Sequence, residues 1–315
     1  MGLFGAAARP AILAAARSAR LRRVSERLPV TRKVVHRFVP GETVADAVNA
    51  VAALRESGCY ATVDFLGEDT VDPAAATATV QAYLQLLDAL AARGPAGPRP
   101  LEVSLKLSAL GQALPRDGEK IALDNARVIC ARAAEAGVWV TVDAEDHTTT
   151  DSTLGIVAEL RAEWDWVGTV LQAYLKRTHA DCRQLAGTRI RLCKGAYDEP
   201  ESVAYRAAEQ VSANYLDCLR VLMAGSGYPM VASHDPAIIA AVPGLAAQYG
   251  RGADDFEYQM LYGIRGSEQL RLVNNGAHVR VYVPFGTQWY GYFVRRLAER
   301  PANLTFFLRA LAERA

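Results

Sequence analysis

No C-x-x-C spacing occurs in the 315 residues, and the five cysteines (Cys59, Cys130, Cys182, Cys193, Cys218) are odd in number and widely scattered. A disulfide framework and a thiolate zinc site are therefore disfavoured, and a reducing cytoplasm is the expected compartment. Neither charge sign dominates, with 35 Lys and Arg against 34 Asp and Glu for a net charge of +1. No apolar run approaches the ~18 residues of a membrane span, and the Ala11–Ala16 stretch is too short and alanine-rich for a signal sequence, so a soluble protein is expected. No G-x-G-x-x-G follows a predicted strand, which argues against a Rossmann domain. His147, His179 and His234 fall in no recognised ligand spacing, and no metal is expected. Ser233-His234-Asp235 has the letters of a triad, but adjacent strand residues alternate faces and cannot build that geometry.

The chain is 51% hydrophobic and 22% charged, enough for one large core, either a single α/β barrel or two ordinary domains. The first 40 residues hold nine Lys or Arg against Glu26 alone, which leaves 26 of the 35 basic and 33 of the 34 acidic residues to the body. An acidic body excludes nucleic acid as the expected partner, because phosphate contacts need clustered positive charge. Pro10 to Leu28 reads as an amphipathic helix with Arg17, Arg20, Arg22, Arg23 and Arg27 on its polar side. Such a helix suits an anionic membrane surface, and a leading helix with a solvated basic face gives the same pattern. Residues 1–40 are accordingly read as a helical leader and 41–315 as one domain.

Short Val- and Ile-rich runs alternate with helical stretches, the sequence form of repeated βα units. Strands are predicted at Tyr60–Phe65, Leu101–Leu107, Val138–Asp143, Val167–Ala173, Arg189–Lys194, Pro229–His234, Asp255–Met260 and Val279–Pro284. Eight is the number that closes a (βα)8 TIM-type barrel, here expected to be distorted and to carry N-terminal helices. The clearest helical periodicity covers Val80–Ala92, Asp124–Ala136 and Ser202–Ala224, with Gly94, Gly137 and Gly225 as C-cap candidates.

Barrels of this kind place their active sites at the C-terminal strand ends. Here those ends carry Asp64, Lys106, Asp143 with Glu145, Gln172, Arg191 with Lys194, His234 with Asp235, Glu257 with Gln259, and Tyr282. An unpaired polar group there would cost a few kcal/mol, so charges converging from most strands point to a ligand, while structural ion pairs at the rim explain any single one. In Arg191-Leu192-Cys193-Lys194-Gly195-Ala196-Tyr197 the strand alternation sets Arg191 and Cys193 on one face, and Gly195-Ala196 lets the backbone approach a bound molecule. Cations beside a flavin would stabilise the negative charge of its reduced ring. Further on, Arg295 and Arg296 stand side by side, and Glu299 lies one helical turn beyond them, within reach of either. Paired guanidiniums match a planar carboxylate, and a solvated basic helix face is the plain alternative.

Six segments carry a resemblance: Ser104 to Leu110, Gln172 to Lys176, Arg191 to Tyr197, Ser233-His234-Asp235, Tyr258 to Gly263, and Tyr282 to Asn303 with its Arg-Arg-x-x-Glu. Together and in this order they resemble proline dehydrogenase, the FAD enzyme that oxidises L-proline. The resemblance implies a (βα)8 barrel with non-covalent FAD, L-proline as substrate, Δ1-pyrroline-5-carboxylate as product and a quinone acceptor at the membrane. It implies peripheral contact of a cytoplasmic protein with the inner membrane face. By the same resemblance Arg295 and Arg296 bind the substrate carboxylate, Lys106 is a basic residue at the substrate, and Asp143 and Arg191 are catalytic. Gln172, Arg191, Lys194, Gly195, Ala196, Ser233, His234 and the Ala144 backbone would contact the flavin, and Tyr197, Leu261 and Tyr282 would wall the proline ring. Asp198 stands where some relatives have Trp, and Ser233 where Thr is commoner, which touches flavin packing only. The length suits a monofunctional chain. A hydroxyproline dehydrogenase, a folate-reductase-like flavin barrel and a non-catalytic amino-acid-binding barrel are the competing readings.

Overall fold

The computed structural model describes residues 35–94 and 99–299, with side chains to Arg296. The helix expected over Pro10–Leu28 and most of the 1–40 leader lie outside the described residues. Eight parallel strands close on themselves in chain order: β1 (Tyr60–Phe65), β2 (Glu102–Leu105), β3 (Trp139–Val142), β4 (Gly168–Gln172), β5 (Arg189–Cys193), β6 (Tyr228–Ala232), β7 (Glu257–Leu261) and β8 (Val279–Phe285). The seam is a long one, with β8 pairing β1 from Tyr60 opposite Arg280 to Phe65 opposite Phe285. Every predicted strand is present, with ends displaced by no more than two residues.

The helices are α1 (Val44–Glu56), α2 (Pro73–Ala91), α3 (Gly118–Ala136), α4 (Thr150–Glu163), α5 (Thr178–Leu185), α6 (Ala208–Ala224), α7 (Pro236–Gln248), α8 (Gly266–Asn274) and α9 (Trp289–Glu299). Three of them start where the apolar stripe misleads. α2 begins at Pro73, because Asp72 caps the Ala74 amide at 2.9 Å and proline suits the first turn, although the alanine-rich start carries no stripe. α3 starts at Gly118 rather than Asp124. α6 starts only at Ala208, because the preceding chain turns back to bridge Ala204 to Leu175. Gly225 ends α6 with an ordinary negative φ, and a Cβ there would lie 2.3 Å from the Ala186 carbonyl oxygen, so close backbone approach is what demands glycine.

Period-2 alternation divides each strand. Ala61, Val63, Val103, Leu105, Val140, Val142, Ile190 and Leu192 pack outward in the main apolar core against the helices. Their neighbours turn inward, where an ordinary TIM barrel stacks branched apolar residues, and here Asp64, Glu102, Arg189, Arg191, Glu257 and Arg280 among them are charged. Arg280 Nε donates to Glu257 Oε1 at 2.7 Å with both side chains fully buried. Arg189 Nη2 reaches Glu102 Oε2 at 2.6 Å, and its guanidinium lies 3.9 Å over the Trp139 ring. Burial alone would raise the Glu102 carboxyl, but Arg189, Arg191 and Arg280 hold it at about 2. Glu257, read from the sequence as a site candidate, is thus a structural partner low in the barrel.

Closure departs from the regular pattern at the seam. α1 lies against β8 and β1, the place a helix following β8 would normally take. It is started by a capping box in which the Asp46 amide donates to Thr43 Oγ1 at 3.2 Å and the Thr43 amide to Asp46 Oδ2 at 3.0 Å. α9 instead folds across the C-terminal mouth. Its Trp289, Tyr290, Tyr292, Phe293 and Val294 pack on Val35, Phe38, Val39, Leu66 and Ile264, and Leu261 and Tyr282 border the cluster.

Candidate active site

Arg191 stands at the centre of the barrel. Its Nε donates to Gln259 Oε1 at 2.5 Å, its Nη1 to Ser104 Oγ at 2.6 Å and Asp143 Oδ1 at 2.7 Å, and its Nη2 to Glu102 Oε1 at 2.6 Å. Side chains of β2 and β7, and Asp143 just past β3, thus fix one guanidinium plane. Asp143, just past β3, accepts in addition from Ser104 Oγ at 3.0 Å and from the Tyr282 hydroxyl at 2.8 Å. Arg191 sits 5.4 Å from the Tyr282 ring centre.

Lys106, at the end of β2, directs its ammonium to Asp64 Oδ2 at 2.7 Å, the Tyr282 hydroxyl at 3.1 Å and Asp143 Oδ2 at 3.3 Å. Burial works against that charge, but Asp64, Asp143 and Glu68 raise the lysine pKa above its usual value. Its three N–H groups therefore all have protein acceptors. Asp143, Arg191, Lys106 and Tyr282, singled out separately in the sequence, form one continuous network.

Above this floor lies Arg295 on α9. Its forked Nη1 and Nη2 engage both oxygens of Glu68, with Nη1 to Oε2 at 2.9 Å. Its guanidinium carbon is 5.8 Å from the Tyr197 ring centre, and that of Arg296 is 5.1 Å from the Tyr292 ring centre. The two adjacent arginines thus occupy different surroundings. Burial opposes the charge of Arg295, and Glu68 and Tyr197 outweigh it, so the group stays protonated. Tyr197, Leu261 and Tyr282 are half-buried around this mouth. Glu299 closes α9, and its side chain lies outside the described residues. Sequence reading missed Glu68. A single acid in a loop carries no periodic or motif signal, and only the fold brings it 227 residues along the chain to Arg295.

The remaining candidates follow the rim over β3 to β7. Gln172 Nε2 donates to the Glu145 carbonyl at 2.8 Å, beside the half-buried Ala144. Lys194 bonds Asp235 Oδ2 at 2.6 Å and Ser212 Oγ at 2.9 Å, so it stands at the β5–β6 rim while Arg191 stays inside. Gly195 has φ +106, and a Cβ there would lie 2.0 Å from the Tyr174 ring, while Ala196 beside it is half-buried. Ser233 Oγ accepts from the Asp235 amide at 3.1 Å, and His234 Nε2 accepts from the Leu261 amide at 2.9 Å, which leaves the ring proton on Nδ1. Asp235 caps α7 through the Ala237 amide, so these three residues do not form a triad.

A closed (βα)8 barrel with interlocked ionisable groups at its C-terminal mouth defines a TIM-barrel enzyme. The chain belongs to the proline dehydrogenase family, whose model, described as "Proline dehydrogenase", matches residues 47–309. It is 42% identical over 284 residues to a proline dehydrogenase of Deinococcus radiodurans, covering 88% of this chain and 90% of that one. It is 37% identical over 286 residues to proline dehydrogenase 1 of Bacillus subtilis, covering 90% and 92%. Among solved structures it is similar to proline utilization A (PutA) from Bdellovibrio bacteriovorus inactivated by N-propargylglycine, with TM-score 0.78 and 28% identity over 85% of this chain. The chain spans 32% of that longer protein.

Proposed function

We propose that this barrel oxidises L-proline to Δ1-pyrroline-5-carboxylate with bound FAD, and that a quinone takes the electrons onward. The observation that carries the reading is the Arg295 fork, which already grips a carboxylate, that of Glu68, in bidentate fashion at the mouth. A substrate carboxylate of the same shape would be met by the N–H groups that Glu68 does not take, with Arg296 beside it.

In this reading Tyr197, Leu261 and Tyr282 wall the proline ring, and Glu299 braces the arginine pair. Lys106 acts from its bracket of Asp64, Asp143 and Tyr282, adding positive charge beneath the substrate. The proline nitrogen must be neutral at the moment of oxidation, since the imine forms from its lone pair. Asp143, anchored by four donors, balances the cations and keeps Arg191 and Tyr282 fixed in place. Residues over β3 to β6 suit the cofactor. The Ala144 backbone, Gln172, Lys194, Ser233 and His234 offer donors and one cation along a single rim, and Gly195-Ala196 keeps side chains clear of it, a set that matches an oxygen-rich, anionic dinucleotide. When bound, FAD supplies a two-electron acceptor for the hydride leaving C5. Arg191 below would favour the negative charge of the reduced ring.

Residues 41–315 would constitute the catalytic domain and the basic leader its contact with the inner membrane face, where quinone resides. No helix among the described residues is long and apolar enough to cross a membrane. The test is a visible spectrum of the purified protein. Flavin bands that bleach on adding proline without oxygen are expected. A protein that stays colourless in excess FAD, or bands unmoved by proline, overturns the reading.

A further inference from the structure

Glu199, in the loop that follows β5, is 4% exposed, and its carboxylate reaches two other loops. Its Oε1 accepts from the His147 amide at 2.9 Å and from the Tyr174 hydroxyl at 3.2 Å, and its Oε2 is met by His147 Nδ1. A carboxylate only accepts, so Nδ1 carries the ring proton. One buried acid therefore joins the loops after β3, β4 and β5. Tyr174 is fixed in turn through its main chain, its amide donating to the Lys194 carbonyl and its carbonyl accepting from the Tyr205 amide, both at 2.8 Å. Burial and the Glu199 charge raise the Tyr174 phenol above its usual pKa, so the hydroxyl stays a donor. The Tyr174 ring is also the surface that Gly195 approaches. Each of the three residues lies close in the chain to the proposed flavin rim: His147 to Ala144, Tyr174 to Gln172, and Glu199 to Gly195, Ala196 and Tyr197.

We propose that Glu199 is a positioning residue: it straps the loops after β3, β4 and β5 together, and so fixes the Gly195–Tyr197 turn on which the flavin and the proline ring rest. The inference rests on the reading of that turn as part of the flavin and proline site. The strap acts apart from the reacting groups, since Asp143, Arg191 and Lys106 keep their own partners without it. Its effect is on seating. Without Glu199 the loop keeps the Leu175–Ala204 bridge at its far end and the exposed Asp198–Arg206 pair, a weak tie, while the stretch from Gly195 to Pro200 loses its buried tether.

The strap is tested in the full-length flavin-loaded enzyme with Glu199→Leu, which removes all three bonds at similar volume, and with Tyr174→Phe, which removes one. Release of FAD on dilution, followed by the rise of free-flavin fluorescence, should give a Kd raised about ten- to thirtyfold in Glu199→Leu and about threefold in Tyr174→Phe, the scale of the hydrogen bonds lost. At saturating FAD, the KM for proline should rise about three- to tenfold in Glu199→Leu while kcat stays within about twofold, a split that a general loss of stability does not produce. Hydrogen exchange at the Tyr205 amide should accelerate by roughly tenfold or more. Glu199→Gln still accepts from the His147 amide and Tyr174, and its NH2 can donate to Nδ1 once His147 moves its proton to Nε2, so this variant should restore FAD affinity and KM. In the Glu199→Leu background, Tyr174→Phe should move neither further. If FAD affinity is unmoved in Tyr174→Phe and in any soluble Glu199→Leu while Gly195→Ala sheds its flavin, the strap is wrong and the reading of the site stands. If Gly195→Ala itself retains flavin like the wild type, the underlying reading is what fails.

Discussion

Replacing Arg295 with Met probes the proposed carboxylate site most directly. A charge-assisted hydrogen bond contributes about 1.5–3 kcal/mol, and the arginine fork offers two to a carboxylate. Not all of that accrues to substrate, because Glu68 already engages two of the five guanidinium N–H groups. The methionine variant also leaves Glu68 facing the incoming carboxylate with no cation between them, and that repulsion adds to the loss. A net loss of about 2–3 kcal/mol follows, which is roughly a 30- to 100-fold rise in KM at 1.4 kcal/mol per decade. Arg295→Lys should fall between, since it keeps the charge and loses the fork. The assay is steady-state oxidation of varied proline with a dye acceptor, paired with anaerobic titration by a non-oxidisable cyclic carboxylic acid that perturbs the flavin spectrum. The side chains of Arg295 and Glu68 are only 14% and 25% exposed, so the variant leaves Glu68 largely buried without its partner, and a normal flavin spectrum is the check that it still folds. A KM within about twofold of wild type, in a variant with that normal spectrum, would refute the assignment.

The lower ion pair calls for the opposite signature. Arg280→Met should cost about 3–5 kcal/mol of stability by stranding buried Glu257, read as a drop in the urea midpoint, and an unchanged midpoint would contradict it. Gly195→Ala forces a Cβ to within 2.0 Å of the Tyr174 ring at φ +106, so loss of bound flavin on gel filtration is expected, and wild-type retention would argue against the close approach. The Glu145 carboxyl rises in the fold from 4.5 to about 7, mainly through burial, with Ser108 and Lys106 opposing and Glu68 adding to it. Because the folded state favours the protonated form, its stabilisation is complete below about pH 4.5 and is lost as pH climbs towards about 7, in all on the order of 3 kcal/mol. Glu145→Gln should flatten that part of the pH–stability curve, measured by urea unfolding between pH 5 and 8, and an unaltered slope would rule the carboxyl out as its source.

Strand existence was legible because β-branched runs recur at βα spacing, and all eight fall in place. Helix starts were less so. α2 opens with Asp72-Pro73 and an alanine-rich turn, a capping signal with no apolar stripe behind it. For the site, Lys106, Asp143, Arg191 and Tyr282 were readable as polar residues at strand ends, and the barrel brings them within hydrogen-bonding reach. What period-2 alternation could not reveal is depth. Glu257 and Gln259 lie two residues apart on one face and are joined by a bond from Gln259 Nε2 to Glu257 Oε1 at 2.6 Å, yet the deeper Glu257 pairs with Arg280 and Gln259 above it accepts from Arg191. Glu68 could not be found at all, because its meaning comes only from α9 folding back over the mouth.

The placement of α1 at the β8–β1 seam ties the two ends of the sequence together during folding. The final strand docks beside the first one made, and the helix that covers their junction precedes both. Newly made chain leaves the β8 side of that helix uncovered until β8 has emerged from the ribosome, while β1 and α2 cover the rest of its apolar face, with Val48 and Val51. Ring closure has to wait for the last strand, and long-range parallel pairing of this kind is intrinsically slow and exposed to self-association.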